Sequence, residues 1–157
     1  MNTEHVNKTI NELALFRIDN ALFGIDIDHI KEINKNLSYT KVTVAQDYIK
    51  GVLNLRGQIV TVIDLRIKFN KPPSQANDPN RRMIIVNYHD ENIGLLVDSI
   101  DDIIHIDPSR VENSATQMKG VNPDYFSGVY KLDSEIVIIL NVVEILDDNP
   151  DQLKKVV

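Results

Sequence analysis

The chain has 157 residues, of which 43% are hydrophobic and 25% are charged, and this composition predicts a folded globular protein. The net charge of −6 disfavours a nucleic-acid partner, and the lack of cysteine excludes disulfides, thiolate catalysis and cysteine-based metal sites. Because no apolar run approaches the ~20 residues of a membrane span and no secretory signal opens the chain, we expect a cytoplasmic protein without direct membrane insertion.

The charge is unevenly distributed along the chain. Residues 1–75 contain ten Lys or Arg and eight acids, whereas residues 76–157 contain seven and fifteen. One interpretation is that the two halves meet different partners. A chance gradient on a solvated surface explains the asymmetry equally well.

In the first half, the predicted elements are two hairpins followed by a short helix. The strands LALFRI and ALFGIDI flank Asp19-Asn20, residue types that tolerate the positive φ of tight turns. The next two strands, 49–55 and 58–64, flank Arg56-Gly57, and a short helix is predicted at 65–69. The proline-rich segment 71–80 then predicts a connector.

The second half repeats this order. RRMIIVNY and NIGLLVD flank a turn at residues 89–91, and FSGVYKL and EIVIILN flank Asp133-Ser134. A second short helix is predicted at 142–148. The pattern of turns and elements is therefore duplicated.

Residue identities support the duplication. At an offset of 70, the segment FGIDIDHIKEI from Phe23 aligns with IGLLVDSIDDI from Ile93. At an offset of 77, GVLNLRGQIVTVIDL from Gly51 aligns with GVYKLDSEIVIILNV from Gly128, with five identical residues. A period this long indicates two copies of a small domain rather than a solenoid.

Short strands separated by turns every eight to twelve residues favour small antiparallel barrels. We therefore predict a mainly all-β fold with a first barrel at 13–75, a second at 80–148 and tails at 1–12 and 149–157. Exchange of strands between the two barrels is left open.

The residue patterns give no support for enzymatic chemistry. The four histidines lack metal-ligand spacing, and His29 beside Asp26 and Asp28 fits a solvated polar face better than a cation site. There is neither a glycine-rich phosphate loop nor a serine nucleophile elbow. The expectation is a protein without enzymatic activity, metal or cofactor.

The ordered blocks closely resemble the CheW family of chemotaxis coupling proteins. They comprise NLRGQIVTVIDLRIKF at 54–69, FGIDIDHIKEI and YIKGV upstream, and NIGLLVDSIDDII, FSGVYKL and IVIILNVVEIL downstream. The resemblance implies two five-stranded SH3-like barrels with a hydrophobic groove at their junction. It also implies a non-enzymatic adaptor that joins the cytoplasmic hairpin tip of methyl-accepting chemoreceptors to the regulatory domain of the kinase CheA, in arrays at the membrane.

Carried over by position, the resemblance assigns a receptor-facing edge to Ile30, Glu32 and Ile33, and it matches Arg56 to the arginine of the family's NLRG turn. By the duplication, Ile100 and Ile103 are expected on the opposite wall of the same groove, where an amphipathic receptor helix would lie. For the isoleucines, plain core packing is an equally good explanation. The kinase surface is not assigned.

Three glycines, Gly51, Gly57 and Gly94, are assigned to backbone geometry rather than to binding. Two alternatives remain open. One is the coupling domain of a CheV-like protein, which carries a further receiver domain. The other is an oligonucleotide-binding barrel, which would need a basic, aromatic-rich groove that the sequence does not indicate.

Overall fold

The computed structural model describes residues 9–35, 38–43, 46–75, 77–113 and 118–147. Most of the predicted tails, residues 1–8 and 149–157, lies outside this part of the chain. The strands are β1 (Glu12–Ile18), β2 (Ala21–Asp26), β3 (Ile30–Asn34), β4 (Thr40–Lys41), β5 (Ile49–Leu55), β6 (Gln58–Asp64), β7 (Arg82–Tyr88), β8 (Glu91–Val97), β9 (Ser99–His105), β10 (Phe126–Lys131) and β11 (Ile136–Leu140). The helices are α1 (Leu65–Lys68) and α2 (Val142–Asp147), which confirms both helix predictions.

The strands form two sheets, and each sheet is the wall of one barrel. Barrel 1 has the strand order β10-β11-β2-β1-β9, and barrel 2 has the order β3-β7-β8-β6-β5-β4. Each barrel thus combines strands from both halves of the chain. The all-β class with two barrel subdomains is confirmed, and the division by residue number stays a prediction.

The equivalent strand pairs of the two barrels have the same hydrogen-bonding register. Ile138 of β11 lies opposite Phe23 of β2, and Thr61 of β6 lies opposite Ile93 of β8, so both pairs obey the sequence offsets of 77 and 70. These two pairings are parallel, and the expectation of purely antiparallel barrels is wrong for them. The reason is that strands exchanged between halves meet through long crossovers instead of tight turns.

The predicted hairpin turns are confirmed. Asp19 and Asn20 have φ of 53° and 68°, and His89 and Asp90 have φ of 49° and 64°. Two consecutive left-handed residues match the right-handed twist of the flanking strands, which explains the choice of Asn, Asp and His. The equivalent turns therefore have the same backbone geometry.

Three layers of apolar side chains fill the molecule. Inside barrel 1 lie Leu13, Leu15, Leu22, Ile106, Tyr130, Val137 and Ile139. Inside barrel 2 lie Val60, Val62, Met83, Ile85 and Leu96. Between the barrels, the opposite faces of β1, β2, β7 and β8 form a central core. These strands are buried on both faces, which explains their continuous hydrophobic sequences.

Gly51 and Gly128 are equivalent positions where another backbone crosses closely. A Cβ on Gly51 would lie 2.1 Å from the carbonyl oxygen of Thr40, and one on Gly128 would lie 2.8 Å from that of Glu112. Both distances are too short for a side-chain carbon. The duplication has therefore kept glycine where the barrel closes.

Candidate partner-binding surface

β3 and β9 are equivalent edge strands, one on each barrel. β3 pairs with β7, and β9 pairs with β1, with a register shift at the same position in each pairing. Ile30 and Ile100 are half-buried against the central core. Three residues further on, Ile33 is 37% exposed and Ile103 is 48% exposed. Each edge therefore has one isoleucine that supports the strand and one that faces solvent.

Glu32 and Arg56 form an ion pair at the edge of barrel 2. Glu32 is on β3, and the Arg56 guanidinium reaches it from the β5–β6 turn. Arg56 has φ of 51° and is followed by Gly57 at 82°, and Asn54 Oδ1 accepts a 2.9 Å hydrogen bond from the Gly57 amide. The turn geometry thus holds an exposed arginine beside the edge strand.

A polar cluster lies beside this ion pair. Lys31 Nζ donates to Gln58 Oε1 at 3.3 Å and to Asn92 Oδ1 at 3.4 Å, and Asn92 Nδ2 donates to Gln58 Oε1 at 2.6 Å. Asn92 is buried, so its amide is satisfied by these neighbours. A shallow cleft of about 230 Å³ joins the cluster to Glu32 and Arg56. The β3 edge is therefore tied by side chains to β6 and β8.

At the equivalent position of barrel 1, the residues are acidic. Arg17 donates to both carboxylate oxygens of Glu135 at 2.8 Å and lies 3.6 Å from Asp101. The hydrogen bond from Arg17 lowers the pKa of the Glu135 carboxyl, and the bond to Glu135 raises the pKa of Arg17. Asp101 and Glu135 correspond to Lys31 and Gln58 at the two offsets. The equivalent positions thus hold a lysine and a neutral glutamine in barrel 2 but two acids in barrel 1.

Two further isoleucines are exposed at equivalent positions near the strand starts. Ile59 of β6 is 48% exposed, and Ile136 of β11 is 53% exposed. Ile59 borders a cleft of about 400 Å³ together with Lys31, Thr61 and Asn92. The equivalent exposure in both copies makes these two isoleucines candidate contact positions.

A family model of the CheW-like domain matches residues 12–149 of this chain. The chain belongs to the CheW-like family. It is 30% identical over 135 residues to the chemotaxis protein CheW of Klebsiella aerogenes, and this match covers 86% of the chain and 81% of that protein. It is 29% identical over 145 residues to the chemotaxis protein CheW of Bacillus subtilis, with 92% of both proteins covered.

Solved structures agree with the family assignment. The crystal structure of the scaffolding protein TtCheW from Thermoanaerobacter tengcongensis has a TM-score of 0.81 and 26% identity to this chain, and the match covers 98% of this chain and 99% of TtCheW.

Among the sequence relatives, the chemotaxis protein CheV3 of Helicobacter pylori is 25% identical, but the match covers only 51% of that protein. The CheW-like family is one of chemotaxis scaffold proteins, which agrees with the expected adaptor class.

Within this CheW-like fold, the predicted site residues fall into two groups. Glu32 and Arg56 are in contact on barrel 2, next to Ile30 and Ile33 on the same edge. Ile100 and Ile103 lie on the edge of barrel 1. A single groove between the two isoleucine pairs stays a prediction.

Sequence reasoning missed the Arg17–Glu135 pair and the exposure of Ile59 and Ile136. The sequence did contain a signal for the two isoleucines, because Ile59 and Ile136 are an identical pair in the repeat. The Arg17–Glu135 pair could be found only by knowing that β1 and β11 lie in the same barrel.

Gly57 and Gly94 have different local requirements. Gly57 lies in open space with a left-handed backbone, whereas a Cβ on Gly94 would lie 2.5 Å from Met83 Sδ inside barrel 2.

In the described part of the chain, no group of three His, Cys, Asp or Glu residues has metal-site geometry. Among the same residues, no helix is long and apolar enough to cross a membrane.

Proposed function

We propose that this chain is a non-enzymatic adaptor that couples the cytoplasmic hairpin tips of chemoreceptors to the kinase CheA. The observation that carries the proposal is the match to the CheW-like family over residues 12–149, on a fold with two exposed edge strands. An adaptor needs at least two surfaces for two partners. The duplicated fold offers two sets of equivalent exposed positions, which are the β3 and β9 edges and the isoleucines Ile59 and Ile136.

The proposed receptor surface is the β3 edge of barrel 2, with the β9 edge of barrel 1 across from it. Ile33 and Ile103 are the exposed apolar contacts for a receptor helix, and Ile30 and Ile100 support them from the central core. An amphipathic helix placed between these edges would bury its apolar face on the isoleucines. Its polar face would remain in solvent.

Arg56 and Glu32 complete this surface in the proposal. An exposed arginine already paired with one carboxylate still has free guanidinium donors for the carbonyl or carboxylate oxygens of a partner helix. Because the left-handed Arg56 backbone and the Glu32 contact restrict the side chain, less conformational entropy is lost on binding. Arg56 is therefore the polar residue expected to contribute most to receptor affinity.

The kinase contact is proposed to use a separate surface, around Ile59 or Ile136. Both are large apolar side chains exposed at equivalent positions, and they lie on β6 and β11 rather than on the proposed receptor edges. Since receptor tips and kinase lie inside the cell, the proposal places the chain in the cytoplasm at receptor arrays. A CheV-like context is compatible with the same surfaces, and the acidic net charge argues against an oligonucleotide partner.

The test is ternary complex formation with a purified receptor-tip fragment and the CheA regulatory domain. We expect Arg56→Glu to weaken receptor binding by about tenfold or more and to leave kinase binding unchanged. The new carboxylate would lie beside Glu32, a like charge, and it lacks the guanidinium donors proposed to bind the receptor. Arg110→Glu, a matched reversal on the exposed Pro108–Arg110 turn of barrel 1, is the control and should bind both partners normally. Receptor binding within about twofold of the parent in Arg56→Glu would contradict the proposed receptor surface.

A further inference from the structure

A cleft opens at the end of barrel 1 where β2 leads into the crossover to β3. Its volume is about 450 Å³. The residues that line it are Ile10, Asp26, His29, Ser127, Leu140, Asn141 and Val142. Three of these side chains are apolar and four are polar, and a mixed lining of this kind is typical of small-molecule sites.

Asp26 brings a buried carboxylate into this cleft. It is the last residue of β2 and is 8% exposed. Its Oδ1 accepts a 3.0 Å hydrogen bond from the Asp28 amide. Among the residues that the structure describes, no cationic side chain forms an ion pair with Asp26. Because buried charges in proteins are normally paired, this carboxylate lacks the counter-ion that such a position requires.

The equivalent position in barrel 2 carries no charge. At the offset of 70, Asp26 aligns with Leu96, which is completely buried inside barrel 2. Asp26 does cap the short 3-10 helix Ile27–His29, but an asparagine caps a helix about as well as an aspartate. The fold therefore explains a capping side chain at position 26 and does not explain its negative charge.

We propose that this cleft binds the ammonium group of an aliphatic amine, with the Asp26 carboxylate as its counter-ion. An ammonium group has three donors, and Asp26, Ser127 and Asn141 supply acceptor oxygens on the cleft lining. The Ser127 hydroxyl donates to the Ile139 carbonyl at 3.4 Å, and Asn141 Oδ1 accepts from the Glu144 amide at 3.1 Å. Each of these two oxygens thus keeps a lone pair for the ligand.

The lining favours an ammonium over other cations. A guanidinium binds a carboxylate best through both oxygens, and Asp26 Oδ1 already accepts from the Asp28 amide. A divalent cation such as Ca²⁺ takes about six or more oxygen ligands, and Asp26 is the one acid among the lining residues. The apolar residues Ile10, Leu140 and Val142 fit the carbon chain of an amine.

Occupation of the cleft would also restrain the crossover that leads to the proposed receptor edge. Asp26 and His29 lie at the two ends of this crossover and both line the cleft, and Ile30 follows His29 directly. This consequence rests on the proposed function. The amine site itself does not, and its test uses neither receptor nor kinase.

The test is an NMR titration of the full chain at pH 8 with 1-pentylamine, which is protonated at this pH. We expect the amine to shift the amide signals of residues 26–29 and 141, with a Kd of about 1 mM. The neutral analogue 1-pentanol has nearly the same size and should bind at least about tenfold more weakly, because it cannot pair with the carboxylate.

Asp26→Asn removes the charge and keeps the helix cap, so we expect it to weaken pentylamine binding by about tenfold or more. Asp133→Asn, the same change on the exposed β10–β11 turn, is the matched control and should bind pentylamine as the parent does. Ser127→Ala removes one acceptor and should weaken binding by about threefold, which gives a second reading if Asp26→Asn does not fold.

Nα-acetyl-lysine amide distinguishes the two sources of such an ammonium group. Binding at least as tight as that of pentylamine assigns the cleft to a lysine side chain of a polypeptide, and weaker binding assigns it to a free amine. Both results support the ammonium site.

Pentanol that binds as tightly as pentylamine would overturn the proposal, because the charge would then make no contribution. So would pentylamine affinity that Asp26→Asn leaves unchanged, or amide signals at residues 26–29 that remain unshifted at about 20 mM pentylamine. Tighter binding of Ca²⁺ or Zn²⁺ than of pentylamine at the same residues would show a metal site instead, and it would also overturn the proposal.

Discussion

Barrel 1 and barrel 2 have equivalent strand order and register, yet their corresponding edges carry different charges. The β3 edge of barrel 2 has Lys31 and Glu32, with Arg56 on the adjoining turn. The equivalent positions in barrel 1 are Asp101, Asp102 and Asp133. Backbone pairing and core packing constrain the apolar and glycine positions, whereas exposed edge positions diverge at little cost in stability. Divergence of this kind gives the two edges different charge on the same backbone frame.

The strand exchange determines which barrel carries the edge strand of the more basic half and which carries that of the acidic half. β3, from the more basic half, lies in barrel 2, and β9, from the acidic half, lies in barrel 1. The edges thus keep the charge of their half although each barrel mixes both halves. In the proposed receptor groove, the two edges would therefore present different charges to the same helix.

At the junction between the barrels, the equivalent positions 68 and 145 hold residues of different character. Lys68 Nζ lies 4.2 Å from the ring centroid of Tyr48 and 5.2 Å from that of Tyr125, and these tyrosines are equivalent. The counterpart of Lys68 in the second copy is Ile145, which is buried. A cation between two aromatic rings stabilises the junction from the α1 side. Ile145 does so from the α2 side by apolar packing.

The largest effects are expected from truncation of the equivalent helix residues Phe69 and Leu146, which are both 1% exposed in the central core. Phe69 packs on Phe23 at 5.3 Å and on Phe126 at 5.8 Å between ring centroids. We expect Phe69→Ala to lower the free energy of unfolding by about 4 kcal/mol and Leu146→Ala by about 3 kcal/mol. Urea denaturation measures both.

Val143→Ala, on the exposed face of α2, is the control for this comparison and should cost less than about 0.5 kcal/mol. A loss below about 1 kcal/mol for both core variants would mean that the two barrels are stable without the shared core.

A smaller difference is expected between the closing glycines. Gly51→Ala forces a methyl group against the Thr40 carbonyl, and Gly128→Ala forces one against the Glu112 carbonyl, at the longer of the two distances. We expect losses of about 3 kcal/mol and about 1.5 kcal/mol, since the backbone must shift further at Gly51. Thermal unfolding of the two variants, measured side by side, gives the ranking. The reverse order would show that the Thr40–Lys41 strand yields more readily than residue 112 does.

Much of the fold could be predicted from local sequence. The turns at Asp19-Asn20 and Arg56-Gly57 follow from residue types that accept positive φ, and the helices after each VIDL-like segment follow from the repeat. β3 and β9 were not predicted as strands, because five to seven residues of mixed polarity carry no clear period. The parallel pairing of β11 with β2 joins residues about 115 positions apart, and no local pattern selects such a partner.

The candidate site was predicted in part for the same reason. Glu32 and Arg56 were both expected on the receptor surface, but their mutual ion pair depends on the pairing of β6 with β8 and of β7 with β3. Arg17 was not considered, since its partner Glu135 lies 118 residues away in sequence. Contacts that the exchange of strands creates are therefore the ones that sequence reasoning missed.

The smallest effect is expected at the acidic edge of barrel 1, under acid conditions. Because Arg17 lowers the folded-state pKa of the Glu135 carboxyl below its usual 4.5, the unfolded state binds a proton before the folded state does. The resulting stabilisation is complete above pH ~4.5 and is lost as the pH falls through the folded-state pKa. Glu135→Gln should therefore flatten the dependence of the urea midpoint on pH below ~4.5. Gln58→Glu, at the equivalent position beside Lys31, should introduce a dependence of the same sign in barrel 2. If the parent and Glu135→Gln lose stability in parallel below pH ~4.5, the Arg17 pair makes no net contribution to folding, as holds for many exposed ion pairs.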